Sequence, residues 1–478
     1  MIATGRLRTW IGAVGAPLVF VALWLAPLPL ETPAHRLAAI FAAVVVLWVT
    51  EVVPIAATAL LVAPLLVVCD VAAPKDAFKH YADPLLYLFV GGFMIAEAMR
   101  KHGLDRRIAK QIVGSRWVRG VPRRGRVALL VAGLLISMWI SNTAATAMLL
   151  PICLGMVGPA RADDRGAAGA LLVVAHSCSI GGLGTMIGSP PNLITVRLLA
   201  EGGVTFGFME WMAVGLPTAL LLLGALFLIV EWLLPAPERD AEGSEEAGLF
   251  DDVPRTWTRG EVVTAVAFGL AVIGWTVPGI ASLLALDGAA ALHRFLDPGV
   301  VAVLAASVLF FAPDGEGARV LRWSEAVRID WGIILLFGGG IALGTQLVDT
   351  GLAAVMSEAF VASTGVTDVW TLTALAIALT IALSELCSNT ATATMLVPLV
   401  IGVTTELGVS PIAPVLAVGL AASVGFMLPI ATGPNALVYG TGRVSQTQMM
   451  RVGLALDVAG GVIVFAVVRV LCPLLGWM

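Results

Sequence analysis

Long stretches with no charged residue, or at most one or two, recur along the chain. They run Ile11–Leu30, Leu37–Thr50, Ala56–Cys69, Val127–Ala160, Gly166–Val196, Trp211–Val230, Val262–Leu286, Val300–Ala312, and Asp457–Val468 with its continuation to Met478. Many approach the ~20 residues that cross a bilayer as a helix. Others are longer and are broken by Gly and Pro, the pattern of re-entrant or discontinuous helices. The pattern predicts an all-α polytopic membrane protein of about 11 transmembrane helices plus two re-entrant hairpins. The composition agrees: 59% of the 478 residues are apolar, only 13% are charged, and the mean hydropathy is +0.96. Soluble domains carry about 25% charged residues.

The pattern also repeats. "SNTAATAMLLP" (Ser141–Pro151) returns as "SNTATATMLVP" (Ser388–Pro398), 247 residues later. "LFVGGFMIAEAMRKHGL" (Leu88–Leu104) returns as "LFGGGIALGTQLVDTGL" (Leu336–Leu352), offset by 248, and "GSPPN" (Gly188–Asn192) as "ATGPN" (Ala431–Asn435), offset by 243. Near-constant offsets imply two structural repeats. The boundaries read as a tail and first span (1–36), a first repeat (37–234, hairpin about 127–158), a polar linker (235–260) and a second repeat (261–478, hairpin about 369–402).

Charge orients the repeats. Arg100–Arg126 holds ten basic residues and one acid, Asp105, which places it in the cytoplasm by the positive-inside rule. Threading outward puts 22 of the 28 Lys and Arg on that side, including Arg161, Arg239, Arg328 and Arg443. The N-terminus then lies inside, the C-terminus outside, and the repeats have opposite topology. Inverted repeats with interrupted helices at matching places point to the binding site of a secondary transporter. The first run is too long for a signal-peptide core and reads as a retained span.

Ser, Asn and Thr are poor inside helices and good at N-caps. A hairpin broken at such a tripeptide presents carbonyls from the ending helix to a cation, and N–H groups from the starting helix to an anion. In "GSPPN" the same logic has Gly188 ending a half-helix, Ser189 capping the next and Pro190 at its first position. Val127–Ala160, Gly166–Val196 and Leu407–Gly442 contain no Lys, Arg, Asp or Glu, and Val369–Thr405 contains only Glu385. A dianion held there meets no protein cation, so bound cations must supply the compensation. Oxygen ligands favour a hard cation such as Na⁺.

These motifs, with "VTEVVPIAATALL" (Val49–Leu61), resemble the divalent-anion/sodium symporter family, which includes bacterial sodium–dicarboxylate symporters. The resemblance covers most of the chain. It implies a homodimer in the cell's inner membrane, with a fixed scaffold and a transport domain that moves like an elevator, carrying a small dianion with Na⁺ and no other cofactor. It implies substrate contacts from Asn142, Thr143, Ser189, Asn389, Thr390 and Thr432. One Na⁺ site would use Ser137, Ser141, Asn142 and Gly188. The other would use Ser384, Cys387, Ser388, Asn389 and Ala431. Gly433 departs from Pro190 of the first half.

Other features read more plainly. The five cysteines sit in apolar runs without CxxC spacing, as small core residues. Gly91, Gly92 and Gly338–Gly340 read as close-packing glycines, His176 as a core histidine, and the basic run at 100–126 as topogenic and lipid-facing. Glu51 falls at a span end, and Glu385 beside the second tip could tune a cation site. A C4-dicarboxylate is the expected anion; an exchanger, or a sulfate or citrate carrier, is the alternative within the fold. An intramembrane enzyme finds no support in HExxH, an aspartate pair or a Ser–His partnership. Nothing suggests nucleic acid as a partner.

Overall fold

A computed structural model describes residues 2–158, 164–237, 250 and 253–478, with side chains from Trp10 onward. Arg161, Arg239 and most of the linker, all part of the charge map above, lie outside the described residues. The described chain is helical apart from one isolated bridge between Pro313 and Arg319.

The first half contains α1 (Ile2–Leu25), α2 (Thr32–Thr50), α3 (Ile55–Val68), α4 (Pro74–Phe78), α5 (Leu86–His102) and α6 (Leu104–Val113). Then come the hairpin α7 (Pro122–Ser137) and α8 (Asn142–Val157), the broken helix α9 (Arg165–Gly181) and α10 (Pro190–Glu201), and α11 (Phe208–Leu233). The second half answers with α12 (Arg259–Leu283), α13 (Ala289–Phe295), α14 (Pro298–Phe311), α15 (Trp323–Ala326), α16 (Trp331–Asp349) and α17 (Leu352–Thr364). The hairpin α18 (Val369–Leu386) and α19 (Asn389–Glu406), the broken helix α20 (Ile412–Ala421) and α21 (Gly433–Gly440), and α22 (Gln446–Leu474) complete it.

Seven of these helices are long and apolar enough to cross a membrane, eight if the pair α13–α14, bent by 57°, counts as one. Length alone finds fewer spans than the eleven expected, because α3 and the halves of the broken helices are individually short and α1 counts only from Trp10.

Packing follows the repeat. α5 lies along α14 and α16 along α3; α7 packs on α9 and α18 on α20; α8 meets α21 and α19 meets α10; α11 and α22 meet each other. Two groups result: an outer one of α1–α5 and α12–α16, and an inner one of the hairpins, broken helices, α11 and α22, with α6 and α17 packed chiefly on the hairpin helices α7 and α19. Glycines let the helices approach. At Gly91 a Cβ would run into the Ala302 backbone, and at Gly339 into that of Ala59. Gly340 and Gly344 instead face Thr394 and Pro398 of the inner group, and Gly92 faces Ile187. The boundary between groups is thus smooth where these helices meet.

The basic run does more than face lipid, which corrects that expectation. Arg107 donates from Nε and Nη2 to both oxygens of buried Glu261 (2.6 and 2.9 Å), which also caps α12 through Thr258. Lys101 pairs with Glu325 at 2.7 Å, and buried Arg126 with Glu231 at 2.7 Å. These cations fasten helix ends to one another as well as setting topology. All five cysteines are buried and free.

Candidate functional site

The two hairpins turn at the Ser-Asn-Thr tripeptides, as their capping chemistry predicts. Ser141 and Ser388 are the N-cap residues of α8 and α19, and Ser388 Oγ accepts the Ala391 N–H at 3.2 Å. Ser189 and Thr432 are the N-caps of α10 and α21. Thr432 Oγ1 takes the Asn435 N–H at 3.2 Å, whereas Ser189 Oγ lies 3.2 Å from Ser423 Oγ instead of capping its own helix.

One boundary differs from expectation. The half-helix before the break ends at Gly181, not Gly188, and Gly182–Gly188 is a string of turns. The second half matches, with α20 ending at Ala421 and irregular chain to Thr432. Polar side chains supply what the lost helix bonds would have. Asn192 Nδ2 donates to the carbonyls of Gly182 (2.8 Å) and Thr185 (2.7 Å), Thr185 Oγ1 to Met138 O (2.5 Å), and Trp211 Nε1 to Leu183 O (3.0 Å). In the second half Asn435 Nδ2 donates to Leu428 O at 3.0 Å. The sequence motifs contained both asparagines, and this supporting role went unread there.

Glu385 points away from the second tip. Its oxygens accept the N–H groups of Met427 (2.7 Å) and Leu428 (2.8 Å), and Asp457 accepts that of Phe426 (3.0 Å). The carboxylates hold the second unwound segment where Trp211 and Thr185 hold the first. His176 is fully buried with its ring edge-on to Phe426, and Glu51 sits in a left-handed conformation at the end of α2, away from the tips.

Four helix N-termini, those of α8, α10, α19 and α21, converge on one pocket of about 230 Å³. Its walls include Ser141, Asn142, Thr143, Gly188, Ser189, Ser388, Asn389, Thr390, Ala431 and Thr432. Every residue expected to touch substrate is therefore present. No Lys or Arg lines it and Asp330 adds a carboxyl, so what attracts an anion is the helix termini, each worth roughly 0.3–1 kcal/mol toward an anion and up to about 2 when partly buried.

The first expected cation set also comes together. In the orientation that satisfies its neighbours, the Asn142 amide donates to Ser137 Oγ (2.6 Å) and to the carbonyls of Gly188 and Cys178 (both 3.2 Å). In the second set Ser384 Oγ donates to Asn389 Oδ1 (2.9 Å) and Ala422 O (2.6 Å), and Ser388 and Ala431 line the pocket. The part expected of Cys387 is its backbone carbonyl; its thiol turns to Leu383 O and Thr392 Oγ1. The Asn142 amide nitrogen fills the space between Ser137 Oγ and the Gly188 and Cys178 carbonyls; the remaining groups of both sets are neutral oxygens, which fits a monovalent hard cation that would turn the Asn142 carbonyl toward itself. Among the described residues there is no cluster of three His, Cys, Asp or Glu side chains suited to a transition metal.

Phe89, Phe93, Asp330 and Ile333 of the outer group also wall the pocket. Phe89 and Phe93 fall in the repeated stretch Leu88–Leu104, whereas Asp330 and Ile333 precede its second copy, Leu336–Leu352, and carry no signal from it. Phe93, Ser141, Asp330 and Ile333 are shared with a second cleft of about 550 Å³ that leads past Arg100, Arg106 and Arg328. The site is thus continuous with the basic end of the molecule.

The citrate transporter family CitMHS matches residues 45–419. The chain belongs to this family. A transporter of Haemophilus influenzae, described as uncharacterized, is 33% identical over 445 residues, covering 91% of this chain and 92% of its own length. The sodium-dependent dicarboxylate transporter SdcS of Staphylococcus aureus MRSA252 is 29% identical over 496 residues, covering 99% and 92%. The resemblance drawn from the motifs is borne out: the chain is a multi-pass membrane transporter. Among solved structures, MtrF of Neisseria gonorrhoeae aligns over 98% of this chain and 97% of its own with a TM-score of 0.58 at 12% identity, a likeness of fold alone.

The Gly433 departure has a physical reason. A Cβ there would collide with Thr143 Oγ1, so the second break lets the first tip pass close by. Gly433→Val is expected to cost about 1–3 kcal/mol by overpacking, read calorimetrically as a loss of anion affinity of about five-fold or more. Unchanged affinity would show that the two tips need not approach.

Proposed function

We propose that this protein is a Na⁺-coupled symporter of a small dianion, a C4-dicarboxylate such as succinate, malate or fumarate, in the inner membrane. One observation carries the reading. Both Ser-Asn-Thr tips and both unwound segments line one small pocket that holds four helix N-termini and no Lys or Arg. Anion-binding groups without a protein cation call for bound cations, and oxygen sets stand behind each tip. The pocket is below the ~300–1,000 Å³ of drug-sized sites, in keeping with a four-carbon solute. The sodium-dependent dicarboxylate relative points the same way.

The basic end is the cytoplasmic one by the positive-inside rule, so the site faces the cytoplasm here, with the N-terminus inside and the C-terminus outside. The inner group is the moving domain and the outer group the scaffold of a homodimer. The glycine-smoothed boundary between them supports an elevator mechanism. Na⁺ is the coupling ion and no further cofactor takes part.

The test is uptake of labelled succinate into proteoliposomes with and without an inward Na⁺ gradient. Accumulation only with the gradient is expected. Gradient-independent uptake that needs internal dicarboxylate would instead identify an exchanger, and citrate or sulfate uptake in place of succinate would reassign the anion.

A further inference from the structure

At the end of the molecule opposite the basic cleft, Arg197 of α10 ties the inner group to the outer one. Its Nε lies 2.5 Å from Asp83 Oδ2 and its Nη2 3.0 Å from Glu201 Oε1. Glu201 in turn accepts from Thr345 Oγ1 of α16 and lies 3.7 Å from His80 Nδ1. Asp83 is 6% exposed and Arg197 21%, so these charges are largely withdrawn from water. Asp83 also takes the Leu85 N–H as α5 begins, and Arg100 stands near the far end of that 17-residue helix. The two ends are therefore about 25 Å apart.

The repeat places the same two residue types at the basic end. Asp330 comes 247 residues after Asp83, at the start of α16, and it too takes a backbone N–H two residues on, from Gly332. Arg443 follows α21, the counterpart of α10, three residues beyond Gly440, the position that the 243-residue offset gives for Arg197. Among the described residues neither Asp330 nor Arg443 forms an ion pair. Arg443 Nη1 donates to Gly158 O at 2.9 Å, and Asp330 stands in the wall of the open cleft. One pair is closed and its repeat-related counterpart is open.

We propose that Arg197 and Arg443 are positioning residues that latch the two end states of transport. Arg197 on Asp83 and Glu201 holds the tips toward the cytoplasm. Arg443 on Asp330 holds them toward the outside. Inverted repeats exchange environments when access alternates, so the two latches are the same contact made at opposite ends. The exchange leaves the number of ion pairs constant. Neither state is then favoured by charge pairing alone, and breaking one latch biases the equilibrium toward the other. The inference rests on the alternating-access reading above.

The experiment places a cysteine at Ala147, exposed in the basic cleft, in the full-length protein, whose own cysteines are buried. Its labelling by a membrane-impermeant thiol reagent from the cytoplasmic side reports the state seen here. Arg197→Gln should slow labelling up to about five-fold, the shift that loss of a pair worth up to about 1 kcal/mol gives a two-state equilibrium. Arg443→Gln should speed it or leave it at its ceiling. Arg197→Lys, which keeps a cation beside Asp83 and Glu201, should restore most of the wild-type rate, whereas the neutral Arg197→Gln should not.

Changes of the same sign in both single variants, or none in Arg197→Gln, would overturn the latches if wild-type labelling still responds to Na⁺ and succinate. Wild-type labelling that never responds to any ligand would overturn alternating access itself, and the latches with it.

Discussion

Asn142→Asp and Asn389→Asp are each expected to abolish dianion transport while leaving cation binding intact or stronger. Each swap keeps the volume of the side chain and replaces an N–H₂ donor by an acceptor. At Asn142 that donor faces the carbonyls of Gly188 and Cys178, so the new carboxylate meets oxygens on one side and the anion on the other. At about 4 Å and an effective dielectric near 20, one like-charge pair costs on the order of 4 kcal/mol, roughly a thousandfold in affinity, and a dianion makes it larger. The same charge attracts Na⁺ held by Ser137 and Gly188. Repulsion and burial raise the new carboxyl's pKa. It is neutral below that value, so succinate binding should partly return as pH falls. Asn→Ala should weaken both ligands without the charge penalty. Calorimetric titration of succinate and of Na⁺ separates these effects, and unmodified succinate affinity in either Asp variant would remove both tripeptides from the anion site.

Much of this site was legible before any coordinates, because each part is a local signal placed twice. Single Ser or Thr residues inside apolar runs, such as Thr218 and Thr264, stay helical by donating to the carbonyl one turn back, but a cluster of capping residues repeated at a fixed offset marks breaks at equivalent places. That is why Ser141, Ser388, Ser189 and Thr432 all stand at helix starts around one pocket. Three things were not legible. The extent of the breaks was hidden: apolar turns such as Gly182–Gly188 look like helix until Asn192 and Thr185 are seen taking over its hydrogen bonds. The role of Glu385 was misplaced, because sequence adjacency to the tip says nothing about the direction of a side chain that reaches Met427 and Leu428. The outer wall of Phe89, Phe93, Asp330 and Ile333 comes from helices that meet the tips only in three dimensions.

Replacing Na⁺ by choline should lower succinate affinity about a hundredfold or more. The pocket offers the dianion helix termini and hydroxyls. Four N-termini supply a few kcal/mol at most, which does not offset the desolvation of two negative charges in a low-dielectric site. A Na⁺ about 4 Å from one carboxylate returns on the order of 4 kcal/mol, part of it spent on stripping the ion's own water. Coupling free energies between sites typically reach 1–3 kcal/mol, about 5–150-fold. With an oxygen set behind each tip, two such terms act on one anion. Choline is too large for sets closed to hydrogen-bond distance, as between Ser384 and Asn389 at 2.9 Å, so it cannot substitute; Li⁺ can in part. Reciprocity requires that saturating succinate tighten Na⁺ by the same factor. Ser137→Ala and Ser384→Ala should each weaken Na⁺ and flatten its concentration dependence, because each empties one set and leaves the other. Succinate binding of equal strength in choline and in Na⁺ would end the symport reading and leave the exchanger.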